Sequence, residues 1–139
     1  MNETLSGITE ILPNISWLIG SKLTHFLSDI RDKSQEHFVS ITLNGANEVI
    51  QKRIVTVGLL DRSLVHPRDV FAEVITDRAA AVIFAHNHPS GDLQPSDEDL
   101  RTQTRLVEAA QILGIRVLDH LIVSRRGYFS FEESGLIST

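Results

Sequence analysis

The tightest constraint on the fold is the run Ala80–Ala85, a short unbroken apolar stretch that ends directly on His86. It does not alternate, so it suits a strand covered on both faces, and it is too short for a helix of ordinary length. A strand buried on both faces needs layers above and below it, which predicts an α/β (α+β) architecture with a central sheet flanked by helices. At 139 residues, the chain is long enough to bury one core without a staple.

The flanking segments supply those layers. Residues 1–14 have no firm period, and Pro13 interrupts them, so they are read as an N-terminal arm ahead of a domain spanning 15–139. Asn14 has the character of an N-cap, and Ile15, Leu18, Ile19, Lys22, Leu23, Phe26, Leu27 and Ile30 follow at helical spacing, with Trp17 beside the stripe. From Glu36 a strand is expected, with Val39, Ile41 and Leu43 alternating with Phe38, Ser40 and Thr42. Asn44 and Gly45 then turn the chain into a second strand within 48–57, giving an antiparallel hairpin, and Gly58 marks a bend. Pro67 opens a helix that carries Val70, Phe71, Val74 and Ile75 up to Ala79. A third helix starts near Ser96 and stops at Gly114, a strand covers 115–124, Arg126 and Gly127 turn, and a short strand covers 128–131.

The chemistry concentrates just after the apolar run. His86 and His88 are two residues apart, so on an extended backbone both imidazoles leave the same side. A carboxylate would complete a set of three protein ligands with one open position, the layout of a catalytic zinc site, and by chemistry alone it is Asp92, Asp97 or Asp99. Asp99 lies about one helical turn after Ser96, so both can face the histidines. Each piece also has a plain structural explanation. Ser96 and Asp99 match a capping box, Gly91 and Pro95 are ordinary loop residues, and Asp99 is not expected to close that box and hold a metal together. Glu36 opens its strand where a polar residue is unexpected, which suits a general base, although glutamates at strand edges are common.

Composition narrows the possibilities. The absence of cysteine leaves histidine and carboxylate as the strong metal ligands and removes a thiol nucleophile. No membrane span or signal peptide is recognisable, which predicts a cytoplasmic protein without a membrane partner. The net charge of −5 disfavours nucleic acid as a partner without excluding it, because Lys52 with Arg53, and Arg116 with Arg125 and Arg126, offer local positive charge.

Glu36, the His86-Asn87-His88-Pro89 run and, after six further residues, Ser96 and Asp99 together resemble the JAMM (JAB1/MPN/Mov34-type) metalloprotease superfamily. The RadC-like branch is the nearest resemblance, carried also by Glu36-His37-Phe38, Val65 to Asp69, His86 to Gly91 and Leu118 to Val123, over roughly 15–137. The resemblance implies a cytidine-deaminase-like JAB/MPN fold with a mixed central sheet, and Zn2+ held by His86, His88 and Asp99. It further implies that Glu36 is the general base and that Ser96 stabilises the oxyanion. The activity implied is hydrolysis of a peptide or isopeptide amide in a peptide or protein substrate. His66 and His120 also fall in stretches shared with the branch. His66 is read as part of a helix start, His120 as a hydrogen-bonding neighbour of a ligand, and Arg68 as a surface residue.

The stretch before Glu36 is too short for the helix-hairpin-helix region that many RadC-like proteins carry, so that attachment is expected to be absent. Two other functions compete with the hydrolase. One is a nucleic-acid-processing protein of the repair-associated RadC type; the His-Asn-His letters suggest an HNH nuclease, whose histidines are instead spread over a hairpin and a helix. The other is a non-catalytic JAB/MPN binding module.

Overall fold

The computed structural model describes residues 22–58 and 65–137. The expected arm 1–14, and the start of the first helix with Asn14, Ile15, Trp17, Leu18 and Ile19, lie outside the described residues. The elements in order are α1 (Lys22–Phe26), α2 (Ser28–Arg31), β1 (His37–Leu43), β2 (Val49–Val57), α3 (Pro67–Thr76), β3 (Ala81–Asn87), α4 (Asp97–Leu113), β4 (Arg116–Ser124) and β5 (Gly127–Ser130). They form a mixed α+β fold around one five-stranded sheet of order β2-β1-β3-β4-β5, consistent with the JAB/MPN fold. Its one parallel pair is β3 with β4; β1 runs antiparallel to both β2 and β3.

The apolar run lies on the middle strand, and all seven residues of β3 are buried. Its side chains alternate between two cores. Ala81, Ile83 and Ala85 pack with Leu23, Phe26, Leu27 and Ile30 beneath the sheet. Val82 and Phe84 pack with Val70, Phe71 and Val74 of α3 and with Leu106 and Ala110 of α4 above it. Each large side chain fully removed from water contributes roughly 1.5–3 kcal/mol, so this strand ties the two layers into one cooperative unit. The period of two then places His86 on the upper face, in line with Val82 and Phe84 and towards α4.

Two expectations change in detail, and β1 adds a feature that alternation alone does not specify. Instead of one continuous first helix, α1 and α2 are separate short helices around Leu27, whose φ of −99° and ψ of 8° leave the helical region. Leu27 itself is fully buried, so packing overrides helical regularity there. The helix from Pro67 stops at Thr76, because Arg78 has φ 53° and turns the chain before Ala79. The alternation in β1 does not produce a solvent face: Phe38 enters the upper core, while Ser40 and Thr42 are also buried. Thr42 donates to Asp77 at 2.9 Å, and Arg53 donates to the same carboxylate, so a small ionic cluster satisfies Thr42, whereas Ser40 Oγ is buried without a hydrogen-bond partner.

Candidate metal centre

Strand pairing, the end of β3 and the start of α4 converge on one point. Phe38 of β1 stands opposite His86 of β3, and continuing that register by two residues sets Glu36 against His88. The turn after β3 begins with His88, whose backbone N–H donates to the Val123 carbonyl at 3.0 Å. The chain returns at Ser96, the N-cap of α4, which brings Asp99 in its first turn back onto the histidines. One ligand atom from each of Glu36, His86, His88 and Asp99 lies within 4.8 Å of the others.

The donor set fits a transition metal. His86 Nε2 is 3.3 Å from Asp99 Oδ1, His88 Nε2 is 3.0 Å from Asp99 Oδ2, and the two Nε2 atoms are 3.1 Å apart. His88 Nδ1–H donates to the Asp92 carbonyl at 2.7 Å, and since a carbonyl only accepts, the neutral ring has its lone pair on Nε2, facing Asp99. Two imidazole nitrogens with a carboxylate are a ligand set for zinc and its neighbours in the first transition row, and a poor one for magnesium or calcium. Glu36 Oε1 stands farther off, 3.9 Å from His86 Nε2, with its side chain 28% exposed. The nearer trio and the more distant, wetter glutamate therefore occupy different positions in the cluster.

Asp99 meets both demands that looked exclusive in the sequence. Its Oδ2 accepts the Ser96 N–H at 2.9 Å while Ser96 Oγ accepts the Asp99 N–H at 3.1 Å, completing the capping box. Oδ1 remains directed at His86. A carboxylate has two oxygens and about four lone-pair sites, so the cap and the histidines use different ones. Burial pushes the Asp99 carboxyl up, but His86 and His88, whenever their rings carry a proton on Nε2, and the Ser96 N–H outweigh it and hold the group well below the usual carboxylate range; with Nε2 unprotonated, a metal would take that proton's place. Of the other two aspartates, Asp92 accepts the Gln94 N–H and lies on the rim, and Asp97 is exposed in the first turn of α4.

Beside the cluster, Glu36, His88, Pro89, Asp92, Pro95 and Ser96 line an open groove of about 350 Å³. Ser96 Oγ uses a lone pair in its cap, so the hydroxyl proton can point elsewhere. His66 is the exposed N-cap residue of α3 and makes no side-chain cap hydrogen bond. Arg68 is a surface residue, 3.8 Å from Asp69.

His120 is fully buried on β4, with its Nε2 2.8 Å from His86 Nδ1 and its Nδ1 2.6 Å from Gln103 Oε1. Gln103 is not singled out by the sequence, and Asn87, the residue between the two histidines, is named there only as part of the motif, without a role. Gln103 precedes Leu106 and Ala110 at helical spacing, so a polar residue on the buried stripe of α4 was the available signal. Asn87 is fully buried at the end of a strand, and its amide reaches the backbone of residues 33, 35 and 37.

Residues 20–136 match the family model described as RadC-like JAB domain. A UPF0758 protein of Methanospirillum hungatei is 55% identical over 111 residues, covering 80% of this chain and 49% of that protein. UPF0758 proteins of Trichlorobacter lovleyi and Geobacillus thermodenitrificans are 52% and 49% identical, each over 81% of this chain and 49% and 50% of their own lengths. The chain thus spans about half the length of these curated relatives. Among the described residues no helix is long and apolar enough to cross a membrane.

Proposed function

This chain belongs to the RadC-like JAB domain family, and on that premise we propose that it is a zinc-dependent metallohydrolase acting on an amide carbonyl of a peptide or protein. The observation that carries this reading is the convergence of Glu36, His86, His88 and Asp99 at the head of a solvent-open groove. His86, His88 and Asp99 would hold the ion, and Glu36, outside that trio, would transfer the proton. Zinc supplies there an acidified water and a Lewis acid for the substrate carbonyl.

The chain's own residues divide the remaining work. Glu36 accepts a proton on its carboxylate and returns it to the leaving nitrogen, a role that contributes roughly 10²- to 10⁴-fold. Its partial exposure lets it meet both solvent and substrate. Ser96 Oγ–H donates to the carbonyl oxygen as negative charge develops there, and losing one such donor costs about 10²- to 10³-fold. Asp92, through its backbone carbonyl, keeps the His88 ring in one tautomer and one orientation. The groove along Pro89, Asp92 and Pro95 receives the chain flanking the scissile bond.

The test compares wild type with Glu36→Gln, Ser96→Ala and His88→Ala for bound zinc and for cleavage of a peptide and isopeptide panel. Glu36→Gln is expected to keep its metal and lose cleavage, and His88→Ala to lose both. Equal cleavage by wild type and Glu36→Gln would rule the mechanism out. Plasmid DNA belongs in the same panel, because nicking that disappears in His86→Ala would favour a nucleic-acid enzyme instead.

A further inference from the structure

The buried side chains behind His86 form a directional chain. Gln103 Oε1 lies 2.6 Å from His120 Nδ1, and His120 Nε2 lies 2.8 Å from His86 Nδ1. His86 and His120 are fully excluded from solvent, and Gln103 nearly so. The imidazole of His120 is fixed in place, stacked on Phe131 with ring centroids 4.7 Å apart and met edge-on by Phe38. An amide oxygen only accepts, so with Gln103 in this orientation His120 carries its proton on Nδ1 and offers a lone pair on Nε2. His86 must then donate from Nδ1, and its Nε2 lone pair points into the cluster with His88 and Asp99.

Rotating the Gln103 amide by half a turn would reverse every link. Its NH₂ would donate to His120 Nδ1, His120 Nε2–H would donate to His86 Nδ1, and the His86 proton would move to Nε2, where it blocks a metal. The orientation observed leaves Gln103 Nε2 buried without a hydrogen-bond partner. Reversal would leave Oε1 in that unpartnered position instead, so the proton order follows from which amide atom faces His120, and here it is the oxygen.

We propose that Gln103 is a positioning residue that acts through His120 to hold His86 in the tautomer able to bind a metal through Nε2. The inference rests on the metal site of the proposed function but not on hydrolysis, because its readouts are metal affinity and proton location. Outer partners of metal-binding histidines are typically worth about 10- to 100-fold in metal affinity.

Gln103→Met removes the acceptor at nearly constant volume, and Gln103→Glu keeps an acceptor that cannot be reversed. Zinc affinity is measured by competition with a chromophoric chelator in the absence of substrate, and the histidine nitrogens are assigned by ¹⁵N NMR in the zinc-bound wild type. The expected result is a roughly 10- to 100-fold weaker affinity for Gln103→Met, wild-type affinity for Gln103→Glu, and protons on Nδ1 of both His86 and His120. Unfolding in excess chelator separates loss of fold from loss of metal. The proposal fails if folded Gln103→Met binds zinc like wild type, if Gln103→Glu loses as much as Gln103→Met, or if His120 Nδ1 is unprotonated. Should the panel above show no cleavage while these affinities follow the expected order, the hydrolase reading falls and the relay stands.

Discussion

The side chain of Asn87 accepts the backbone N–H of His37 at 2.6 Å, tying the residue between the two cluster histidines to the backbone that carries Glu36. The same amide donates to the carbonyls of Lys33 and Gln35 at 3.3 and 3.0 Å. One buried side chain therefore sets the spacing between the two halves of the centre, which are fifty residues apart in sequence.

Replacing Asn87 by Ala removes all three bonds; residues 33 and 35 are exposed and His37 is half-buried, so water takes over part of their hydrogen bonding and the cost is about 0.5–1.5 kcal/mol per bond. Cleavage is expected to fall more than zinc affinity, since the ligands on β3 and α4 stay where they are while Glu36 drifts. Urea unfolding, a zinc titration and turnover measured on Asn87→Ala check this. A variant that loses zinc affinity as steeply as turnover would place Asn87 with the ligands instead.

The parts of this centre that were readable in the sequence are those governed by local geometry. The period of two sets His86 and His88 on one side of an extended chain, and one helical turn separates Ser96 from Asp99. Glu36 was a different matter, because its approach depends on β1 pairing antiparallel with β3 in one register, a long-range choice that the letters around Glu36 do not encode. Its place at a strand mouth was visible, and its role rested on resemblance. The capping box misled in the opposite direction: Asp99 has several lone-pair sites, so Oδ2 accepts the Ser96 N–H while also facing His88, and Oδ1 is left for His86.

Asp119 gives a pH dependence with a definite sign. Burial pushes its carboxyl up to about 6, against hydrogen bonds from Ser130 Oγ and the N–H groups of Glu132 and His120 that pull it down. A raised folded-state value means the protonated form is the one the fold prefers. Its contribution to stability is fully present below the unfolded value of 3.8 and is lost as pH rises through about 6. Asn at this position can still accept the two backbone N–H groups and donate to Ser130 Oγ without a charge. Relative to wild type, Asp119→Asn is therefore expected to gain stability progressively between pH 4 and pH 7. Urea unfolding of both proteins across that range measures the difference, and a flat difference would refute the assignment.

Gly91 and Arg125 brace the loop that follows His88. The Arg125 guanidinium donates to the Pro89 and Ser90 carbonyls at 3.4 and 3.1 Å, and a Cβ on Gly91 would stand 2.7 Å from it. Gly91 also has φ +91°, a region that side chains rarely adopt. Gly91→Ala is expected to cost about 1–3 kcal/mol through backbone strain and to displace the arginine as well. Arg125→Ala releases the loop without strain and should cost less, because the guanidinium is exposed. Thermal unfolding ranks the two, and equal losses would show that the brace rather than the backbone carries the effect.

Metal linkage separates the ligand trio from Glu36. His86 and Asp99 are buried and already converge with His88, whereas an unfolded chain holds these groups far apart, so an ion that binds the fold must stabilise it. At a thousand times its dissociation constant the gain is about 4 kcal/mol, which is readily seen as a raised unfolding midpoint. Zinc is expected to produce it and magnesium at the same concentration is not, since two imidazoles suit the borderline ion and not the hard one. Excess chelator should reverse the gain, His86→Ala and Asp99→Ala should abolish it, and Glu36→Gln should keep most of it. If Glu36→Gln instead loses the zinc-dependent stabilisation entirely, then the glutamate is a ligand in its own right. The 3.9 Å that separates it from His86 would then close when metal binds, and the proton-transfer role would need another residue.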